Sequence, residues 1–92
     1  MKVERRGLRI SGTVQGVGFR WWTKSQADRL GLKGWVRNES DGTVAVVLRG
    51  EPEQVEEMVD RLRQGPRGAR VGSVEAADFE DAPEAADFRI RR

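Results

Sequence analysis

Ninety-two residues are enough for one compact domain and too few for two that each bury a core, so residues 1–92 are read as a single domain. Apolar residues make up 37% and charged residues 35% of the chain; the first figure permits folding, and 17 Lys plus Arg against 15 Asp plus Glu leave a net charge of +2, too small and too dispersed to argue for a nucleic-acid or membrane partner. With no Cys and no His, disulfides, thiolate nucleophiles, imidazole acid–base chemistry and Cys/His metal sites are all excluded.

In chain order, Leu8, Ile10, Gly12 and Val14 alternate with Arg9, Ser11 and Thr13, the two-residue period of a half-buried strand over residues 8–14. A helix is expected over residues 22–32, with Trp22, Ala27 and Leu30 on one face and Gly31 and Gly34 closing it. Residues 35–38 and 43–49 flank Ser40-Asp41-Gly42, and Asp-Gly between two strand-like runs signals a hairpin. Val55, Met58, Val59 and Leu62 stand at i, i+3, i+4 and i+7, the stripe of an amphipathic helix. Pro52 suits its first turn and Gly65-Pro66 its stop. Residues 71–79 read as a fourth strand and residues 86–91 as a short fifth. Strand, helix, strand, strand, helix, strand is the order of an α+β ferredoxin-like two-layer sandwich (βαββαβ). Such a fold has an antiparallel sheet with both helices on one face, here with a short C-terminal strand added. No apolar run is long enough to span a bilayer, and Met1-Lys2-Val3-Glu4-Arg5 is too charged to open a secretory signal, so a cytoplasmic monomer is expected.

The stretch Val14-Gln15-Gly16-Val17-Gly18-Phe19-Arg20 leaves a strand and enters a helix. The first turn of a helix has unpaired N–H donors, and glycines let such donors converge into an anion nest. Arg20 adds a permanent charge whose fork matches phosphate or carboxylate. Two common phosphate loops are excluded by spacing: no Lys-Ser/Thr pair follows the second glycine, and Trp21 stands where a dinucleotide fingerprint needs its third glycine. Taken alone, the segment is equally a glycine-rich turn that happens to precede an arginine.

Read together, VQGVGFR, LGLKGWVRN over residues 30–38, the Asp41-Gly42-Thr43-Val44 turn, Gly65-Pro66 and the ending ADFRI resemble the acylphosphatase family, in order and over nearly the whole chain. The pairing of the glycine loop with Gly34-Trp35-Val36-Arg37-Asn38 is far more specific than either piece. The resemblance implies a small ferredoxin-like enzyme that hydrolyses acyl phosphates to a carboxylate and inorganic phosphate, with no cofactor and no metal. It places the phosphate cradle at Gln15, Gly16, Val17, Gly18, Phe19 and Arg20, matches the family's phosphate-binding arginine to Arg20, and matches its water-orienting asparagine to Asn38. At Thr13 many members carry a basic residue, and Trp21 and Trp22 occupy positions that vary. Trp22 is read as core, Trp21 as exposed packing or a lip of the site.

Such chemistry needs neither His nor Cys. The anhydride's carboxylate leaves readily, and phosphoryl transfer through a loose transition state depends on positioning and charge stabilisation. Asn38 cannot take a proton near neutrality; it can hold a water in line with phosphorus, and the resemblance implies that the substrate's own phosphate oxygen takes the proton. Glu53, Glu56 and Glu57 read as a solvated helix face. Two rival readings differ in class. An RNA-recognition module shares the fold but stacks bases on strand aromatics, which residues 43–49 lack. A non-catalytic anion-binding module, such as the acylphosphatase-like domain of hydrogenase-maturation carbamoyltransferases, would keep the cradle without turnover.

Overall fold

Charged residues extend the first strand further back than alternation of apolar residues suggests. In the computed structural model, which describes residues 2–79 and 86–92, β1 spans Glu4–Thr13 and is followed by α1 (Phe19–Arg29), β2 (Lys33–Asn38), β3 (Val44–Gly50), α2 (Pro52–Gln64), β4 (Arg70–Ala76) and β5 (Phe88–Arg91). The early part of β1 holds because its charges are partnered: Arg6 pairs with Glu4 and with Glu56 of α2, while the Arg5 guanidinium donates to the Phe79 carbonyl at 2.7 Å.

The sheet runs β4-β1-β3-β2-β5. β1 pairs antiparallel with β3 and β4, and β3 antiparallel with β2, which is the four-stranded sheet expected. β5 joins the outer edge of β2 in parallel, so the sheet as a whole is mixed. Both helices cover one face. There Leu8, Ile10, Val36, Val44, Val46, Leu48 and Phe88 meet Phe19 and Ala27 of α1 and Val55, Met58, Val59 and Leu62 of α2 in one buried cluster. Each such side chain is worth about 1.5–3 kcal/mol in removed apolar surface, and together they fix the distance of α1 from the ends of β1 and β2.

Other details also differ from expectation; β2 starts at Lys33 rather than Trp35, so Gly34 lies inside it instead of closing the helix. α1 begins at Phe19 rather than Trp22, and its buried face is Phe19, Thr23 and Ala27, spaced i, i+4, i+8; Trp22 and Leu30 only flank the core. A threonine at a buried position hid this stripe from an apolar-periodicity reading. β4 stops at Ala76, and Phe79 instead folds onto the helix-free face, its ring 5.5 Å from that of Trp35, in a second small cluster with Ala45 and Val47. β5 starts at Phe88, two residues later than the alternation suggested.

Candidate active site

β1 ends at Thr13 and delivers buried Val14 to the loop. Gly16 and Gly18 both take φ 75°, a left-handed conformation that costs other residues roughly 1–2 kcal/mol. Space around both positions is open, so glycine is needed there for backbone shape and not for close packing. Gly18 is the N-cap of α1 and has no side-chain capping bond; its carbonyl accepts the first helical bond, from the Trp22 N–H at 3.0 Å. The N–H groups of Gly16, Val17, Gly18, Phe19, Arg20 and Trp21 reach no backbone acceptor among the described residues.

The electrostatics of this corner favour an anion. α1 has no acidic residue in its first turn, and Arg20, its second helical residue, adds a cation at the positive end of the dipole, an unfavourable placement unless negative charge arrives. Arg20 is half-buried, and its Nη1 donates a long hydrogen bond of 3.4 Å to the Arg91 carbonyl in β5. The C-terminal strand therefore braces the arginine from behind, a contact no sequence pattern announces.

Asn38 closes β2, in register with Val44, and its Oδ1 is buried with no partner among the described residues. An orphaned buried acceptor costs about 1–3 kcal/mol. The turn beyond is well tied. The Glu39 N–H donates to the Thr43 carbonyl at 2.9 Å and the Gly42 N–H to the Glu39 carbonyl at 3.2 Å. The Thr43 hydroxyl and N–H donate to the Asp41 carboxylate at 2.6 and 3.0 Å, and these two bonds, the hydroxyl's foremost, hold the Asp41 carboxyl below its ordinary value.

The Gln15 side chain is committed within the protein. Its Nε2 donates to the Glu39 and Thr43 carbonyls, each at 2.8 Å, so its side chain clamps the loop to the hairpin and only its backbone remains for a ligand. The combination of a side-chain amide with two turn carbonyls leaves no local sequence signal. Val17 packs beside the main core. The remaining expected residues converge: Gly16, Gly18, Phe19, Arg20 and Asn38 line one cavity with Val14 and Trp21. Its volume, about 170 Å³, suits a small group, since pockets for drug-sized ligands run to about 300–1,000 Å³. A larger hollow of about 430 Å³ lies at the opposite end of the sheet, lined by residues such as Lys2, Leu30 and Gln54; it holds none of the loop and is not the site. Among the described residues no three His, Cys, Asp or Glu side chains gather as metal ligands.

A model of the acylphosphatase family matches residues 6–90. The chain belongs to the acylphosphatase family. It is 53% identical over 85 residues to an acylphosphatase of Rhizobium etli, covering 90% of this chain and 88% of that relative. The fold is similar to that of an acylphosphatase from Coxiella burnetii, with a TM-score of 0.84 and 37% identity over 97% of this chain and 93% of the other. It is also similar to part of full-length HypF, solved in a phosphate- and nucleotide-bound form, with a TM-score of 0.86 and 29% identity over 99% of this chain but 12% of that one. Family membership and the ferredoxin-like sandwich thus agree with the reading of the sequence. No helix among the described residues is long and apolar enough to cross a membrane.

Proposed function

We propose that this member of the family hydrolyses acyl phosphates, with the phosphoryl group held by the backbone of residues 15–20 and by Arg20, and with the attacking water oriented by Asn38. The observation that carries this reading is that Arg20, an uncapped helix N-terminus and Asn38 line one cavity. The first two are complementary to phosphoryl oxygens. The third brings a side-chain amide that can hydrogen-bond a water.

The water oxygen attacks phosphorus as the bond from phosphorus to the acyl oxygen breaks; the electron pair leaves on the carboxylate. One water proton passes to a phosphoryl oxygen, and the products are the carboxylate and inorganic phosphate. Arg20 and the loop N–H groups spread their attraction over the equatorial oxygens as charge redistributes. They accelerate the step only insofar as they hold the transition state better than the substrate. Asn38 neither donates nor removes a proton in net terms; its side-chain amide holds the water by hydrogen bonding so that a lone pair points at phosphorus, an entropic contribution.

The alternative raised by the sequence, a non-catalytic anion-binding module of the same fold, would keep the cradle without turnover. The two readings separate in one assay. The purified, folded chain is expected to hydrolyse benzoyl phosphate at the same rate with and without a chelator. Absence of turnover in a folded sample would favour the binding module, and turnover restored only by added Mg²⁺ would contradict the mechanism above.

A further inference from the structure

Trp21 is 70% exposed, an unusual position for the largest apolar side chain. It immediately follows Arg20 in the first turn of α1 and lines the phosphoryl-sized cavity together with Arg20 and Asn38. It also lines a second, shallow groove of about 350 Å³ along the outer face of the same helix, with Lys24, Ser25, Asp28 and Arg29. These residues stand three, four, seven and eight positions after Trp21, the spacing of a single helical face. Trp21 is the residue the two hollows share.

The chemistry of the groove is mostly settled within itself. Lys24 Nζ is bound to the Asp28 carboxylate at 3.0 Å and to the Phe88 carbonyl at 3.1 Å, so its charge is matched and two of its three donors are engaged. What the groove offers next to the cavity is therefore a flat aromatic surface beside a neutralised ion pair, with the exposed Arg29 at its far end. The cavity itself, at about 170 Å³, takes a phosphoryl group and a water but leaves little room for more than a small acyl group. In an in-line displacement the leaving oxygen departs from the side of phosphorus opposite the water, so the acyl group projects out of the cavity.

We propose that Trp21 is the acyl-recognition residue of this protein and that the groove beyond it selects acyl phosphates with a flat aromatic acyl group over small aliphatic ones. This inference rests on the phosphoryl reading of the cavity given above. Stacking of the acyl ring on the indole face supplies the discrimination, and a contact of that kind changes affinity about tenfold when the indole is removed. Because the ring is bound in both substrate and transition state, the effect falls mainly on KM.

The test compares benzoyl phosphate with acetyl phosphate as substrates, and phenylphosphonate with methylphosphonate as ligands that cannot turn over, for wild type, Trp21→Ala and Trp21→Phe. The expected result is a wild-type preference for the aromatic member of each pair. That preference, expressed as a ratio of kcat/KM or of Kd, falls about tenfold in Trp21→Ala through KM and is largely recovered in Trp21→Phe. Equal losses on both members of each pair, or a preference that survives Trp21→Ala, would overturn the acyl subsite while leaving the hydrolase reading intact. If wild type hydrolyses neither substrate, the phosphonate pair still decides the subsite. If inorganic phosphate and both phosphonates fail to bind, the phosphoryl reading falls and the inference with it.

Discussion

Two side chains carry the proposed chemistry, and they differ in kind. Arg20 is a forked, permanently charged donor set at a helix N-terminus that has no cap and no acidic residue in its first turn, and its position is braced through Nη1 by the Arg91 carbonyl. Lysine at this point would keep the charge but lose the planar fork and the bracing geometry. Arg20→Lys is accordingly expected to weaken inorganic phosphate binding by roughly tenfold, about one charge-assisted hydrogen bond, and to lower kcat by at least as much; isothermal calorimetry and initial rates measure the two. A wild-type phosphate Kd in Arg20→Lys would mean that charge alone is recognised. That Arg20 and Asn38 come together at one cavity was legible in the sequence because the glycine loop and the Gly34 to Asn38 segment carry the family's pattern. The role of the Gln15 side chain was not legible, since its two acceptors, the Glu39 and Thr43 carbonyls, are backbone atoms more than twenty residues away.

Between elements, the site depends on the loop after β1 and the turn after β2 keeping one separation. The packing of Phe19 and Ala27 against the sheet sets the helix, and the Gln15 amide sets the turn. Gln15→Ala removes two hydrogen bonds, each with a net worth of about 0.5–1.5 kcal/mol. Urea denaturation is expected to report a loss of about 1–3 kcal/mol, and kcat should fall by up to about a hundredfold as Asn38 drifts from the cradle, because misplacement near 1 Å is that costly. Normal kcat in a destabilised Gln15→Ala would reduce the clamp to a purely structural role. At this scale α2 was read well from its Val55, Met58, Val59 and Leu62 stripe, which the structure buries intact. α1 was placed three residues late because Trp21 and Trp22 draw the apolar pattern away from a stripe that passes through Thr23. The end of β4 was overrun because Phe79 keeps the strand's alternation while leaving its ladder for the Trp35 side of the sheet. The direction of β5 depends on a partner edge distant in sequence, which local spacing does not encode.

Across the whole molecule, the net charge of +2 supplies little long-range attraction, so anion recognition has to come from the convergence of N–H groups and Arg20 at one end of the sheet. Since that convergence exists only in the folded chain, inorganic phosphate is expected to stabilise it by mass action, about 2.7 kcal/mol at one hundred times Kd, where a domain of this size gains roughly 4–8 °C in Tm per kcal/mol. The central claim is a division of labour: Arg20 holds the phosphoryl group in every state, whereas Asn38 acts on the water. The most direct measurement is the phosphate Kd and kcat of wild type, Arg20→Ala and Asn38→Ala in parallel, with circular dichroism to confirm folding. Arg20→Ala is expected to lose phosphate affinity and turnover together, along with the phosphate-induced rise in Tm. Asn38→Ala is expected to keep phosphate affinity close to wild type while kcat falls on the order of a hundredfold to a thousandfold, the scale for removing one preorganised polar group. Near-normal kcat in Asn38→Ala, or undiminished phosphate binding in Arg20→Ala, would contradict the account.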